Sequence, residues 1–251
     1  MVGENLTNID AIFFGAHPDD VELSAGGAIA NMTKEGKKVV IVDFTQGELG
    51  TRGSAKIRKM ESEKAAEILG VKERINLSLP DGFLTANDKA IDKAIFVIRK
   101  YQPKIVVMPP EKERHPDHET ANRIVRSAMF KAGLTKIITK DRGKHQEPYR
   151  TRKLLSYMQH YSFHTKPDII IDISDTFYLK LEAIKAYSSQ INVPGKSNPD
   201  EPQTLLSRPE FLEELEAKAI YFGSQIGCRF AEPFMSVEPV GLKSLSLIVG
   251  E

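Results

Sequence analysis

The first half of the chain alternates short apolar segments with longer amphipathic ones, and this alternation restricts the fold more than any other feature. Runs such as AIFFG at residues 11–15 have the length and composition of buried strands. Four strand–helix pairs in succession predict an α/β fold with a mostly parallel sheet and right-handed crossovers. The predicted strands cover residues 11–15, 38–45, 75–77 and 104–108, and the predicted helices cover 21–34, 55–69, 88–101 and 118–132.

The second half is less regular. Its predicted elements are a long polar connection over 134–152, strands over 154–157 and 169–173, and helices over 176–189 and 205–222. Residues 191–203 contain three prolines and a glycine, which predicts a loop that covers the site. No repeat or linker interrupts the chain, so we expect a single domain over residues 1–251.

Composition excludes several classes of partner. The net charge is +1, so no global field favours nucleic acid. Cys228 is the single cysteine, which excludes an intrachain disulfide and suits a reducing compartment. No secretory signal and no apolar run of roughly 20 residues is present, so we expect a cytoplasmic protein without a membrane partner.

The segment AHPDD at residues 16–20 directly follows the first predicted strand. In an open α/β sheet, residues just beyond the carboxyl end of a strand line the ligand crevice. His17, Asp19 and Asp20 therefore lie where a site is expected. The alternative is that Asp19 or Asp20 only caps the next helix.

A second segment, RHPDH at residues 114–118, follows the fourth predicted strand. His115 and His118 are three residues apart at the start of a predicted helix. Because the carboxyl ends of parallel strands meet at one edge of a sheet, the two His-Pro-Asp segments are expected to converge on one site.

Two imidazoles and one carboxylate are a sufficient ligand set for catalytic zinc. His17, Asp20 and His118 supply that set, although such ligands also accept other divalent cations. Zinc would polarise a carbonyl and lower the pKa of a bound water to about 7. Asp19 is left to act as the general base.

Two further residues of the second segment are predicted to assist. His115 would stabilise the oxyanion of a tetrahedral intermediate. Asp117 would orient the ring of His115 and favour its protonated form. The alternative for Asp117 is an ordinary exposed acid in a first helical turn.

With these residues the sequence resembles the LmbE/PIG-L family of zinc-dependent N-deacetylases. The resemblance continues through GELGTRG (47–53) and LPDG (79–82), and the later segments 163–174, 180–190 and 222–234 resemble the bacillithiol-biosynthesis deacetylase branch. It implies a Rossmann-like three-layer fold with the metal at the carboxyl ends of the strands. The implied reaction hydrolyses N-acetylglucosaminyl malate to glucosaminyl malate and acetate, in a homo-oligomer that is hexameric in related members.

The resemblance also implies a sugar-binding wall. It places Arg58 and Glu48 there, and Asp81 of the Pro-Asp-Gly turn is the third candidate substrate-binding residue. A solvated arginine, a plain loop acid and an ordinary turn residue are the respective alternatives.

Several features leave the substrate open. Cys228, Arg229 and Phe230 depart from the pattern of the branch, as does the length of the segment 192–202. The alternative substrate is another N-acetylglucosamine compound such as a chitooligosaccharide. A Rossmann-type nucleotide-binding enzyme and a non-catalytic sugar-binding module are more distant alternatives. The glycine spacing in residues 47–53 matches no nucleotide-binding fingerprint.

Overall fold

The structure, a computed structural model, describes residues 7–195 and 200–244. Its helices are α1 (Asp20–Lys34), α2 (Ala55–Ile68), α3 (Asp88–Tyr101), α4 (Pro116–Lys131), α5 (Phe177–Lys185) and α6 (Phe211–Ile226). Its strands are β1 (Ala11–Gly15), β2 (Val39–Thr45), β3 (Glu73–Leu79), β4 (Ile105–Met108), β5 (Lys140–Asp141), β6 (Lys144–His145), β7 (Lys153–Tyr157), β8 (Ile169–Asp172) and β9 (Ala231–Ser236).

Seven strands form one sheet in the order β3-β2-β1-β4-β7-β9-β8. The first five are parallel, whereas β9 is antiparallel to both of its neighbours. The chain moves outward from β1 through β2 to β3 and then returns to place β4 on the other side of β1. This reversal creates a crevice at the carboxyl ends of β1 and β4. The predicted α/β fold with a mostly parallel sheet is confirmed.

Both faces of the sheet are covered, and side chains of β1 alternate between two cores. Ile12 and Phe14 pack in the cluster that includes α3 and α4. Phe13 packs in the cluster that includes α1, α2 and α5. Because both faces are buried, β1 is apolar at every position, as a central parallel strand requires.

The first four strand–helix pairs lie where they are predicted, with small shifts at their ends. β1 and α3 have the predicted bounds, and β3 is longer than predicted because its first residues pair with β2 despite their polarity. The connection over 134–152 contains the short hairpin of β5 and β6.

The second half contains the errors of prediction. Helix α6 begins at Phe211, not at residue 205, because Pro209 disfavours helical backbone at the residue before it. Strand β9 is missing from the prediction, since Pro233 argues against a strand. Pairing of β9 with β7 covers only Phe234–Ser236, so Pro233 has a strand neighbour on one side, where it is opposite Ile170 of β8. Helix α5 ends at Lys185, four residues earlier than predicted.

Residues 196–199 of the predicted covering loop lie outside the described residues, whereas residues 191–195 and 200–203 are irregular. Within the described ranges no helix is both long and apolar enough to cross a lipid bilayer.

Candidate metal centre and active site

The two His-Pro-Asp segments meet at the crevice between β1 and β4. The first segment, His17 to Asp20, leads from β1 into α1. The second segment, His115 to His118, leads from the loop after β4 into α4. The rings of His17 and His118 lie 5.2 Å apart between centroids. The predicted convergence of the two segments is therefore present in the structure.

Potential ligand atoms of His17, His118 and Asp20 lie close together, with both oxygens of Asp20 involved. His17 Nδ1 lies 3.2 Å from His118 Nε2, and His118 Nε2 lies 3.2 Å from Asp20 Oδ1. The other carboxylate oxygen of Asp20 lies 3.5 Å from His17 Nδ1. A tetrahedral ion with bonds of about 2.0–2.1 Å has ligand–ligand edges of roughly 3.3 Å. The residues present therefore fit a small divalent cation.

Other groupings around His17 share parts of this geometry. Nitrogen atoms of His17, His115 and His118 lie within 4.8 Å of one another, as do ligand atoms of His17, Asp81 and Asp117. The second grouping uses the opposite side of the His17 ring, because His17 Nε2 lies 3.0 Å from Asp81 Oδ1 and 3.5 Å from Asp117 Oδ2. A carboxylate behind a ligating histidine fixes the orientation and tautomer of its ring.

Asp19 does not cap α1 with its side chain. It occupies the N-cap position with φ 114°, and its carboxylate makes no capping hydrogen bond. Instead Asp19 Oδ2 accepts a hydrogen bond of 2.9 Å from Arg58 Nη2. A non-glycine residue in the left-handed region costs about 1–3 kcal/mol, and such strain clusters at functional sites. The capping alternative is thus excluded for Asp19.

Arg58 is buried and holds this turn together. Its Nη2 also donates to Pro18 O at 2.5 Å, and its Nη1 donates to Gly47 O at 3.3 Å. A Cβ on Gly47 would lie 1.9 Å from Arg58 Nη1, so this position requires glycine. Arg58 was predicted to contact substrate; in the structure its terminal nitrogens contact protein atoms, and its contact with Asp19 was missed.

Asp81 and Glu48, the other predicted substrate-binding residues, also make contacts within the protein that the sequence did not indicate. Asp81 is buried, with one oxygen near His17 and the other accepting from Leu49 N at 2.8 Å. Glu48 accepts hydrogen bonds from Asp81 N at 3.0 Å and Gln46 N at 3.1 Å. Because both carboxylates are engaged by the protein, they hold the turn behind His17. No spacing in the sequence indicated this contact.

The predicted partnership of Asp117 and His115 is wrong in its geometry. The carboxylate of Asp117 accepts from Gly82 N at 2.8 Å and faces His17. It is the backbone N–H of Asp117 that donates to His115 Nδ1, at 3.2 Å. Asp117 is buried, so the alternative of an exposed first-turn acid is also excluded.

The charge states of these groups follow from burial and their neighbours. Burial raises the pKa of Asp19 to about 7, although Arg58 acts to lower it. Burial also lowers the pKa of His115, and the nearby His17 and His118 lower it further. Asp117 acts to raise the pKa of His115, as expected from the sequence, but it does not reverse the shift, so these surroundings favour the neutral ring over the protonated form that was expected. For His17, contacts with carboxylates outweigh burial and raise its pKa.

Comparison with known proteins identifies the family. The family described as PIG-L, GlcNAc-PI de-N-acetylase, matches residues 12–129. Diacetylchitobiose deacetylase of Thermococcus kodakarensis is 32% identical over 226 residues, which covers 86% of this chain and 78% of the relative. The chain belongs to the PIG-L deacetylase family. It is an enzyme that deacetylates N-acetylglucosamine-type substrates.

Other similar proteins agree with this assignment. A probable N-acetyl-α-D-glucosaminyl L-malate deacetylase of Bacillus cereus is 29% identical over 69% of this chain and 80% of its own length. A conserved protein of Thermus thermophilus superposes with a TM-score of 0.82 at 32% identity, covering 94% of this chain and 98% of that one. The N,N'-diacetylchitobiose deacetylase of Pyrococcus horikoshii, complexed with an inhibitor, superposes with a TM-score of 0.74 at 27% identity, covering 91% and 83%.

The deacetylase has a cavity of about 400 Å³ that begins at the histidine and aspartate cluster. This volume lies in the range of sites for small ligands. We call the part of the lining formed by the following residues the metal half: His17, Asp19, Asp20, Arg58, Asp81, His115 and His118. We call the part formed by the following residues, together with neighbouring residues of α6 and β9, the distal half: Leu23, Ser24, Lys180, Phe211, Phe222 and Glu232.

The other candidate positions have different surroundings. Arg52 is buried and donates to Ser189 O and to backbone oxygens of residues 201 and 202, which holds the segment that was predicted to cover the site. Arg114 and His160 line the cavity, whereas His164 lines a separate cavity. Of the glycines in residues 47–53, Gly47 and Gly50 lie near Arg58, and Gly53 lies near Ser189.

Proposed function

We propose that this deacetylase hydrolyses the acetamide of an N-acetylglucosaminide whose remaining part is an uncharged sugar, with N,N'-diacetylchitobiose as the representative substrate. The observation that carries the hydrolytic part is the close approach of His17 Nδ1, His118 Nε2 and the carboxylate of Asp20, with Asp19 next to Asp20 in the chain. The choice of sugar replaces N-acetylglucosaminyl malate, the first expectation from the sequence, by its alternative.

Similarity supports the uncharged sugar. The diacetylchitobiose deacetylase relative is more similar and matches more of this chain than the malate deacetylase relative does. A structurally similar protein also carries the name of a diacetylchitobiose deacetylase.

The charges along the cavity give independent support. Outside the metal half, its charged lining residues are evenly matched in sign among the described residues. The cations are Lys180, Lys218 and Arg114, and the anions are Glu232, Glu214 and Glu113. Malate carries two carboxylates, which need a surplus of cations when they leave water. A balanced lining favours an uncharged group.

We assign the metal to His17, Asp20 and His118, and we take zinc as the ion, because two imidazoles and one carboxylate suit it. When bound, zinc supplies Lewis acidity for the amide carbonyl and lowers the pKa of water. Asp81 and Asp117 hold the His17 ring so that its Nδ1 faces Asp20 and His118.

Asp19 is the proposed general base. Arg58 fixes one of its oxygens, so the carboxylate has a defined direction when it accepts a proton from the attacking water. A carboxylate that is buried and adjacent to a ligand can then return the proton to the leaving amine.

His115 is the proposed donor to the oxyanion. Its Nδ1 accepts the backbone N–H of Asp117, so a neutral ring carries its proton on Nε2. That N–H can donate to the developing oxyanion without a protonated ring. The role expected from the sequence is retained, with a neutral imidazole in place of an imidazolium.

The test is acetate release by the zinc-loaded protein. Diacetylchitobiose, N-acetylglucosamine and N-acetylglucosaminyl malate are compared at equal protein and zinc concentrations, with chelator-treated protein as the control. We expect the highest kcat/KM on diacetylchitobiose, and we expect no acetate release from the chelator-treated protein. A higher kcat/KM on the malate compound would overturn the choice of sugar, and no acetate from any of the three would overturn the function. Self-association and an intracellular location stay predictions from the sequence.

A further inference from the structure

The distal half of the cavity contains two polar groups that the proposed mechanism does not use. They are the hydroxyl of Ser24 and the ammonium of Lys180, and both residues are at least nine-tenths buried. Around them the wall is apolar, with side chains such as Leu23, Phe211 and Phe222. A mostly apolar wall with a few polar groups is the usual composition of a site that orients a ligand.

Ser24 lies one helical turn beyond Asp20. The two residues are four apart on α1, which places them on the same face of the helix, and both line the cavity. The hydroxyl of Ser24 is buried and has no hydrogen-bond partner within residues 7–195 and 200–244. Buried hydroxyls are normally paired, so a partner supplied by a ligand would explain its position.

Lys180 reaches the cavity from α5. A Cβ on Gly26 would lie 3.2 Å from Lys180 Cγ, so the glycine allows the lysine stem to lie against α1. Its Nζ donates to Glu232 Oε1 at 2.5 Å, and the described residues provide no second partner. An ammonium has three N–H groups, which leaves two for a ligand.

Glu232 neutralises the charge of Lys180, and its own oxygens are already engaged by the protein. Its Oε1 also accepts from Gly27 N at 3.1 Å, and its Oε2 accepts from Ala28 N at 2.8 Å. Both of its oxygens are therefore occupied. The distal half offers hydrogen-bond donors on a neutral ion pair, which suits uncharged oxygens better than carboxylates.

We propose that Ser24 and Lys180 form a subsite for the second sugar ring of the substrate and select a disaccharide over a free N-acetylglucosamine. This inference rests on the proposed function. A sugar ring presents C–H groups to apolar side chains and oxygens to donors, and the distal half provides both. An N-acyl chain longer than acetyl would use the apolar side chains and leave both donors without partners.

Ser24→Ala gives the cleanest test, because the lost hydroxyl has no protein partner among the described residues and alanine favours a helix. We expect kcat/KM on diacetylchitobiose to fall ~5–20-fold, the usual worth of one or two hydrogen bonds, and kcat/KM on N-acetylglucosamine to stay within about twofold. Ser224→Ala on α6 is the matched control, since Ser224 is exposed and does not line the cavity.

Two further variants address Lys180. Lys180→Met combined with Glu232→Gln keeps the charge balanced and is expected to lower the same disaccharide preference. Glu232→Gln alone leaves the charge of Lys180 uncompensated, and it is expected to raise activity on N-acetylglucosaminyl malate relative to diacetylchitobiose.

The outcomes distinguish failure of the proposed subsite from failure of the proposed function. If the parent enzyme releases acetate but the variants keep its ratio of kcat/KM on disaccharide and monosaccharide, the subsite is overturned. It is also overturned if the variants change the ratio for N-butyrylglucosamine against N-acetylglucosamine and leave the disaccharide preference intact. If the parent enzyme releases no acetate from any N-acetylglucosaminide, the proposed function itself fails.

Discussion

The two halves of the cavity are built in different ways. In the metal half, the side chains come from two short segments that follow neighbouring parallel strands, and carboxylates already hold the His17 ring from behind. In the distal half, Ser24, Lys180 and Glu232 come from three elements that are distant in the sequence, and the Ser24 hydroxyl and two of the three Lys180 N–H groups have no partner among the described residues. The comparison suggests that the metal half carries the chemistry shared by the family, whereas the distal half carries substrate choice.

The largest expected effect comes from removing a ligand. His118→Ala is expected to lose stoichiometric zinc and to lower kcat/KM on the order of 10³-fold or more, because the ion contributes several kcal/mol to the barrier. Elemental analysis and acetate release measure the two effects. His145→Ala on β6 is the matched control, since that histidine is exposed. Full zinc content in His118→Ala would remove His118 from the ligand set.

Loss of the proposed base comes next. Asp19→Asn is expected to keep zinc but to lower kcat by ~10²–10⁴-fold, the usual contribution of a general base. Asp92→Asn on α3 is the control, because Asp92 is exposed and does not line the cavity. Retention of full turnover in Asp19→Asn, measured as acetate release at saturating substrate, would be inconsistent with the mechanism.

A variant of Asp81 distinguishes a role in metal binding from a role in substrate binding. Asp81→Asn is expected to weaken zinc binding about 10–100-fold, since the carboxylate lies behind a ligating imidazole. Competition with a chelating dye measures the zinc Kd. An unchanged Kd together with a raised KM would restore the substrate-binding role expected from the sequence.

The smallest effect concerns the stability that comes from packing α1 against Ile173. A Cβ on Gly27 would lie 2.7 Å from Ile173, so Gly27→Ala is expected to lower the free energy of unfolding by about 1–3 kcal/mol. Urea denaturation of the zinc-free protein measures it. Gly241→Ala is the control, because no described atom lies within 4 Å of its added Cβ. Equal stability of both variants would mean that α1 can move away from Ile173, in the connection between β8 and α5, without cost.

The sequence predicts the metal half well because its signals are local. A buried strand followed by His-Pro-Asp can be recognised from consecutive residues, and β1 has the bounds expected from AIFFG. The rule that parallel strands align their carboxyl ends then brings His17 and His118 together. These steps need no knowledge of the long-range packing.

The remaining features depend on contacts between distant residues. The placement of Asp81 behind His17 joins residues 64 apart in the chain, and no periodicity reports it. Strand β9 is difficult to predict because it contains Pro233, which has a strand neighbour only on the β8 side. The Lys180–Glu232 pair likewise requires α5 and β9 to meet beside α1.

The most direct test of the metal half is a crystal structure of the zinc-loaded protein with anomalous scattering at the zinc edge. We predict one strong peak at about 2.0–2.2 Å from His17 Nδ1, an Asp20 oxygen and His118 Nε2. A peak on the Nε2 side of His17, between Asp81 and Asp117, would contradict the proposed metal site.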